Sequence, residues 1–283
     1  MTKMPIRGIS LNVKVMGKGY PIVLMHGGPG ADLYTLMAFK PCANQFTLVF
    51  YDHRCNGRSD GADVSSLTME NLTADADELR QALGFEKWAV LGHSFGGYVA
   101  LEYALRYPQN LSHLLLVDTG AENSWAQENS PKVLAQRGFS PEIVELCRRY
   151  FNGQIEPKEM FPSLMRLSNA YNPYTNLSQT LQMFYWGLQT KLQPETFVYS
   201  ERNFLKGWLV MDRLGEIKVP TLVMSGRQDF IYPPEHQEEL AAAIPNARLV
   251  VIDRAGHNPH DEQPAETLKA VREFLADANP GSA

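Results

Sequence analysis

The sequence predicts an α/β protein with a mostly parallel sheet that is covered by helices on both faces. Short apolar strands alternate with segments of helical periodicity along most of the 283 residues, and this alternation is the pattern of a parallel sheet. Strands are predicted near residues 22–25, 46–51, 88–91, 113–117, 220–224 and 248–252, and helices at 68–83, 96–107, 234–243 and 262–276. Because such folds bind ligands at the carboxyl ends of their strands, functional residues are expected directly after the strands.

The first strands lead into a glycine-rich loop. Residues 6–16 alternate in polarity and predict a strand pair or hairpin, and the strand at 22–25 then runs into His26-Gly27-Gly28-Pro29-Gly30. This loop has neither the Gly-Lys-Ser/Thr ending of a P-loop nor the spacing of a dinucleotide fingerprint. It is therefore either a plain turn or a source of backbone N–H donors.

The most informative motif is Gly92-His93-Ser94-Phe95-Gly96, which stands between the strand at 88–91 and a helix. A G-x-S-x-G run in this context presents its serine hydroxyl at a strained turn. Glycines at both ends of the motif fit, because side chains there would collide where strand and helix nearly touch. The motif predicts a nucleophile elbow with Ser94 as the nucleophile.

An acid and a histidine follow further along the chain. Asp229 lies on the loop after the strand at 220–224, and His257 lies on the loop after the strand at 248–252. An imidazole can take the proton of a serine hydroxyl near neutral pH, and a carboxylate on its far nitrogen fixes the tautomer. Asp118, at the end of the strand 113–117, is the alternative acid, and we favour Asp229.

A helical insertion is predicted between the strands at 113–117 and 220–224. There the alternation stops, and residues 121–208 show helical signals broken by prolines. The segment holds nearly half of the aromatic residues of the chain, and some of them are expected to line an apolar cleft over Ser94. The candidates are Tyr171, Tyr174, Phe184, Tyr185 and Trp186.

On these motifs the chain resembles the α/β-hydrolase family over nearly its whole length. The resemblance implies that Ser94 is the nucleophile, His257 the general base and Asp229 the acid that orients it. It also implies an oxyanion hole formed by the N–H of Phe95 together with that of Gly28 or Gly27. The family inserts a helical cap after the sixth strand of the sheet, which implies a core of residues 1–120 and 209–283 and a cap of residues 121–208.

The resemblance also bears on the substrate. The segment 26–30 is typical of proline iminopeptidases, which remove the N-terminal residue of a peptide. Their cap carries tryptophans followed by a glutamate that holds the free amine, whereas no glutamate directly follows Trp186, so that Glu122, Glu128 and Glu201 remain as alternative anchors. An aromatic cap without an obvious cation site is similar to that of esterases and acyl-homoserine lactonases of this fold. The sequence favours a carboxylic ester or lactone hydrolase, with an aminopeptidase as the alternative.

Two further classes stay open at this point. Some proteins of this fold keep the complete triad but act as ligand receptors with slow turnover, so the fold does not decide the function. A carbon–carbon bond hydrolase of diketone compounds is the other class. Enzymes of the fold that use an aspartate nucleophile are excluded, because position 94 is serine.

Composition excludes several other functions. A formal charge of −5 and a pI near 5.8 argue against nucleic-acid binding. The three cysteines, Cys42, Cys55 and Cys147, are too widely spaced for a zinc site and odd in number, which indicates free thiols in a reducing compartment. No stretch approaches the ~18 apolar residues of a membrane span. We expect a cytoplasmic protein that needs no metal or cofactor and acts on a small-molecule ester, lactone or amide.

Overall fold

One eight-stranded sheet forms the centre of the molecule. The computed structural model describes residues 1–61 and 63–276, and in it the strands lie in the order β1-β2-β4-β3-β5-β6-β7-β8. β2 pairs antiparallel with β1 and β4, and all the other pairs are parallel, which confirms the predicted mostly parallel sheet. The strands are Thr2–Ile6 (β1), Ile9–Met16 (β2), Tyr20–Met25 (β3), Phe46–Tyr51 (β4), Trp88–His93 (β5), Leu111–Val117 (β6), Thr221–Gly226 (β7) and Ala247–Ile252 (β8).

The central strands are continuous apolar runs because both faces of the sheet are covered. Alternate residues of β3 show this directly: Val23 belongs to one apolar cluster and Leu24 to another, and both are fully buried. The first cluster contains helical residues from 95–104 and the second contains residues 33–39 and 268–275. The sheet is thus the middle layer of three.

Ten α-helices lie in the described part of the chain. None of them is long and apolar enough to cross a membrane. The helix predicted at 262–276 is found at Pro264–Phe274, and a short helix at Pro259–Glu262 precedes it. Gln263 lies between the two helices at φ −130° and ψ 60°, outside the helical conformation, which is disfavoured for a residue before proline. The helices are Met69–Ala82 (α1), Phe95–Arg106 (α2), Asn123–Gln136 (α3), Pro141–Phe151 (α4), Met160–Tyr171 (α5), Leu177–Gln189 (α6), Pro194–Tyr199 (α7), Pro234–Ala243 (α8), Pro259–Glu262 (α9) and Pro264–Phe274 (α10).

The segment between β6 and β7 contains α3 to α7 and a π-helical turn at Ser200–Phe204. The first and last residues of this segment lie next to each other. Asn123 N–H donates to the carbonyl of Trp208 at 3.1 Å, and Val210 N–H donates to the carbonyl of Ala121 at 2.8 Å. This pair of hydrogen bonds brings the two ends of the insertion together. The insertion therefore adds helices above the sheet without disturbing the order of the strands.

Candidate active site

Ser94 occupies a strained turn between β5 and α2. Its backbone lies at φ 54° and ψ −124°, a region that costs a non-glycine residue about 1–3 kcal/mol. The glycines around it permit a very close approach, since a β-carbon on Gly96 would collide with the carbonyl of Met25 and one on Gly92 would collide with Gly96. The turn projects Ser94 from the carboxyl end of β5.

A continuous chain of hydrogen bonds joins Ser94, His257 and Asp229. The Ser94 Oγ lies 2.9 Å from His257 Nε2, and His257 Nδ1 lies 2.9 Å from Asp229 Oδ2. Because a carboxylate only accepts, Nδ1–H donates to Asp229 and leaves Nε2 free to accept the serine proton. The second oxygen of Asp229 accepts the N–H of Ile231 at 2.8 Å. Three loops that are distant in the sequence meet here, because parallel strands end at one edge of the sheet.

The alternative acid, Asp118, does not contact the imidazole. It is fully buried at the end of β6, and its Oδ1 accepts the N–H of Gly226 at 2.8 Å. Burial, together with the negative charge of Asp229, raises the pKa of Asp118 well above its ordinary value. Burial also opposes the charge on Asp229, but the attraction of His257 and the hydrogen bonds to it outweigh burial and lower the pKa of Asp229. Asp229 therefore carries the negative charge of this pair.

The backbone groups proposed for an oxyanion hole lie next to Ser94. Gly28 and Phe95 both border a cavity that Ser94 also lines. Phe95 is the first residue of α2, so its N–H has no acceptor within the helix. Gly28 has a φ of 116°, which an L-residue rarely adopts. Gly27 also packs against Ser94, since an added β-carbon there would lie 3.2 Å from that of the serine, but it does not line the cavity.

The cavity beside Ser94 has an apolar part and a polar end. Its apolar lining includes Phe151, Leu205 and Ile231, and the polar end is formed by the residues Tyr98, Asn123, Glu201 and Tyr232. Asn123 Nδ2 donates to Glu201 at 3.4 Å, Tyr98 donates to Asn123 Oδ1 at 3.3 Å, and the hydroxyls of the two tyrosines are in contact.

Glu201 is the most unusual group of this polar end. Its side chain is buried in the π-helical turn, and burial raises its pKa to about 8. The carboxyl group is therefore mainly protonated at neutral pH. It can donate a hydrogen bond to an uncharged substrate, or lose its proton to a substrate amine.

The five aromatic residues expected in the pocket lie elsewhere. Phe184 and Tyr185 are 65% and 55% exposed on the outer side of α6, and Tyr174 is 38% exposed. Trp186 packs near Tyr34, with ring centroids 6.0 Å apart. Only Tyr171 approaches the triad, with its ring 5.5 Å from that of His257, but it does not line the cavity.

This difference from the expectation has a simple cause. α6 presents Phe184 and Tyr185 outward and packs Trp186 near Tyr34, and the cavity is reached instead by α3, α4 and the π-helical turn. Sequence reasoning did not select Tyr98, although it follows Ser94 by four residues and thus lies one helical turn away. Glu201 is predicted only as one of three alternative anchors for a substrate amine, because most glutamates on helices face solvent.

Together, the sheet, the elbow and the converging loops define a hydrolase of the α/β class. Residues 20–264 match the family described as the alpha/beta hydrolase fold, and the chain belongs to this family. A proline iminopeptidase of Pestalotiopsis fici is 29% identical to it, over 95% of this chain and 97% of the relative.

Solved structures agree with this assignment. A thermophilic esterase from Thermogutta terrifontis, with malate bound, superimposes with a TM-score of 0.73 at 29% identity and covers 98% of both chains. The enol-lactonase from Burkholderia xenovorans LB400 superimposes with a TM-score of 0.78 at 23% identity, over 97% of this chain and 100% of the lactonase, which shows a shared fold. The predicted fold class and family are confirmed.

Proposed function

We propose that this protein is a serine hydrolase that cleaves carboxylic esters or lactones through an acyl-enzyme on Ser94. The observation that carries the proposal is the unbroken Asp229–His257–Ser94 hydrogen-bond chain at the edge of a partly apolar cavity. A serine hydroxyl needs such a base to become a nucleophile. The free cavity holds no fixed charge at neutral pH because its one carboxyl, Glu201, is mainly protonated, and this suits an uncharged acyl group.

The reaction proceeds in two halves. Ser94 Oγ attacks the substrate carbonyl while its proton passes to His257 Nε2, and the N–H groups of Gly28 and Phe95 hold the oxyanion. His257 then returns the proton to the leaving alkoxide, which departs as the alcohol and leaves the acyl group on Ser94. Water, deprotonated by His257, attacks the acyl-enzyme, and the acid is released as the proton returns to Ser94. In a lactone, the alcohol and the acid belong to one product.

An aminopeptidase is the second candidate, and one observation favours it. Glu201 brings a buried carboxyl into the cavity of Ser94, where its ionised form can pair with a substrate ammonium group and offset the hydration that the ammonium group loses. The full-length similarity to the proline iminopeptidase of Pestalotiopsis fici supports the same function. In that reaction the leaving group is an amine and the other steps are unchanged.

A substrate panel decides between the two. The purified protein is assayed with p-nitrophenyl esters of increasing acyl length, an acyl-homoserine lactone and proline p-nitroanilide, with Ser94→Ala as the control for each. Ester or lactone turnover that disappears in S94A, without cleavage of the anilide, supports the proposal. Turnover of the anilide alone establishes the aminopeptidase, and activity that survives in S94A contradicts both.

The variant Glu201→Gln provides an independent test. An ester hydrolase is expected to keep its kcat/KM within about tenfold, because the amide still donates to an uncharged group and fills the same space. An aminopeptidase is expected to lose about a hundredfold or more on the anilide, since the partner of its substrate ammonium is removed.

A further inference from the structure

A buried carboxylate outside the triad joins the histidine loop to the insertion. Glu262 is the last residue of α9 and is 1% exposed. One of its oxygens accepts the N–H of Gly256, directly before the histidine, and the other accepts the N–H of Tyr174, in the connection between α5 and α6. A single side chain thus holds two backbone segments that are distant in the sequence.

Three more hydrogen bonds lie along the same contact. The N–H of His257 donates to the carbonyl of Tyr171 at 2.9 Å, at the end of α5. Asn258 Nδ2 donates to Asn172 Oδ1 at 2.8 Å, and Gln179 Nε2 donates to the carbonyl of Glu262 at 2.6 Å. The segment 171–179 of the insertion is therefore bound directly to the segment 256–262 that carries the histidine.

The packing at this contact leaves no space for adjustment. A β-carbon on Gly256 would lie 2.5 Å from the carbonyl oxygen of Tyr171 and 2.6 Å from Pro173 Cδ. The next residue, His257, is also bonded to the elbow, because its carbonyl accepts from His93 Nε2 at 2.9 Å. The backbone of His257 is consequently held from two directions, by the insertion through its N–H and by the elbow through its C=O.

The chemistry at Glu262 requires a carboxylate. Two N–H groups approach one side chain, and an ionised carboxyl offers an acceptor oxygen to each. Glutamine would offer one oxygen and would turn an NH₂ group toward the other donor, and aspartate is one methylene shorter. Burial raises the pKa of Glu262 to about 7, and the two backbone hydrogen bonds oppose this rise because they stabilise the ionised form.

We propose that Glu262 is a positioning residue for His257. Through the N–H groups of Gly256 and Tyr174 it holds the histidine loop against the insertion and keeps the imidazole within reach of Ser94. The proposal rests on the proposed function, because it assigns to Glu262 the alignment of the base in that reaction. Glu262 does not line the cavity and touches no reacting atom.

The test compares Glu262→Gln with Glu266→Gln, which changes an exposed glutamate on α10. E262Q is expected to lower kcat on the best ester by about 10–100-fold with KM within about threefold, since a small misplacement of the base slows the chemical step and leaves substrate binding intact. E266Q should match the wild type. An unchanged kcat in E262Q, or an equal change in kcat and KM, contradicts the proposal.

A second measurement reports on the histidine without turnover. The Nδ1–H proton between His257 and Asp229 gives a low-field resonance in proton NMR, and in E262Q it should shift or broaden while E266Q keeps the wild-type signal. If wild type and S94A react equally with a fluorophosphonate, the proposed function fails, yet the resonance still tests the positioning. A resonance that is identical in E262Q and wild type overturns the proposal.

Should E262Q fail to fold, Glu262→Asp decides the question. It keeps a carboxylate in the same place, but a side chain one methylene shorter cannot accept from both Gly256 and Tyr174. A folded E262D with a kcat lowered about threefold or more and an unchanged KM supports the proposal. A folded E262D with wild-type kcat and wild-type resonance contradicts it.

Discussion

At the residue scale, two buried carboxyl groups stand near His257, and their environments give them different charges. Asp229 receives hydrogen bonds from His257 and from Ile231, whereas Asp118 accepts the N–H of Gly226 and, when protonated, donates to Asp229. Two like charges this close in a dry environment are costly, so one group keeps the proton. The charge belongs to Asp229, where it can stabilise an imidazolium.

This division of charge predicts unequal effects of two matched substitutions. Asp229→Asn should lower kcat by about four orders of magnitude, because an amide selects the wrong histidine tautomer. Asp118→Asn should lower it less than tenfold, because the amide oxygen can still accept the N–H of Gly226. The rates of both variants are measured on the ester that wild type cleaves fastest. A larger loss in D118N than in D229N would reverse the assignment of the acid.

Glu201 leads to a prediction about stability and pH. Its pKa is about 8 in the folded protein, against an ordinary value of 4.5. Because the folded pKa is raised, the protonated group contributes stability that is fully present below about pH 4.5 and is lost as the pH rises to about 8. Relative to Glu201→Gln, the wild type should lose about 2 kcal/mol of unfolding free energy between pH 6 and 7.5, from 1.36 kcal/mol per pH unit.

Urea unfolding of both proteins at the two pH values measures this difference. The other buried carboxyl groups are common to wild type and E201Q, so their contributions cancel. Parallel pH dependences in the two proteins would mean that Glu201 is already ionised near neutral pH, and the argument for an uncharged cavity would fail with it.

At the scale of the element, close contact between α2 and the sheet depends on glycine. A β-carbon on Gly96 would collide with the backbone carbonyls of Met25 and His26, and neither carbonyl can move without displacing β3. Gly187 in α6 is the opposite case, since a β-carbon there meets nothing within 4 Å. The same residue type has a steric role in one helix and none in the other.

Alanine at these two positions should therefore act in opposite directions. Gly96→Ala is expected to lower the unfolding free energy by about 3 kcal/mol or more, through overpacking against rigid backbone. Gly187→Ala should raise it by about 0.5–1 kcal/mol, because alanine loses less backbone entropy in a helix. Urea unfolding monitored by circular dichroism gives both values. A neutral G96A would show that β3 and α2 can separate easily.

The elements also show where local patterns predict well. Strands β3 to β7 follow their apolar runs closely, because a strand buried on both faces must be apolar along most of its length. The helix predicted at 262–276 begins two residues later, at Pro264, and Glu262 instead ends the short helix Pro259–Glu262. There it accepts the N–H of Gly256 in the histidine loop, a contact that the periodicity did not predict.

At the scale of the whole molecule, the insertion and the sheet share one apolar cluster. Leu134, Leu146 and Phe151 from the insertion belong to the same cluster as Val99 of α2 and Val223 of β7. We therefore expect the core of residues 1–120 and 209–283 and the cap of residues 121–208 to fold as one unit. Domains with a common core unfold together.

We accordingly expect a single cooperative unfolding transition. Thermal unfolding followed by the fluorescence of tryptophan, with Trp125, Trp186 and Trp208 in the insertion and Trp88 in the sheet, should coincide with unfolding followed by far-UV circular dichroism. The coincidence should persist in urea. Two separated transitions would show that the insertion folds on its own.

The sequence by itself determined the sheet and the places where functional residues could occur. Ser94, Asp229 and His257 each follow an apolar strand, and parallel strands end at a common edge, so their proximity could be predicted from local patterns. The family match confirms the fold. The sequence also narrowed the acid to two candidates, but both followed apolar strands, and no local pattern separated them.

Only the tertiary structure decided which acid meets the imidazole and which side chains face the cavity. Hydrogen-bond geometry joins Asp229 to His257, and the packing of the insertion turns Glu201 inward while Phe184 and Tyr185 face outward. The physical reason is that a strand in a sheet has its register set by its neighbours, whereas the rotation of a helix in an insertion depends on all the surfaces it packs against. That information is distributed over the whole chain and is absent from any local pattern.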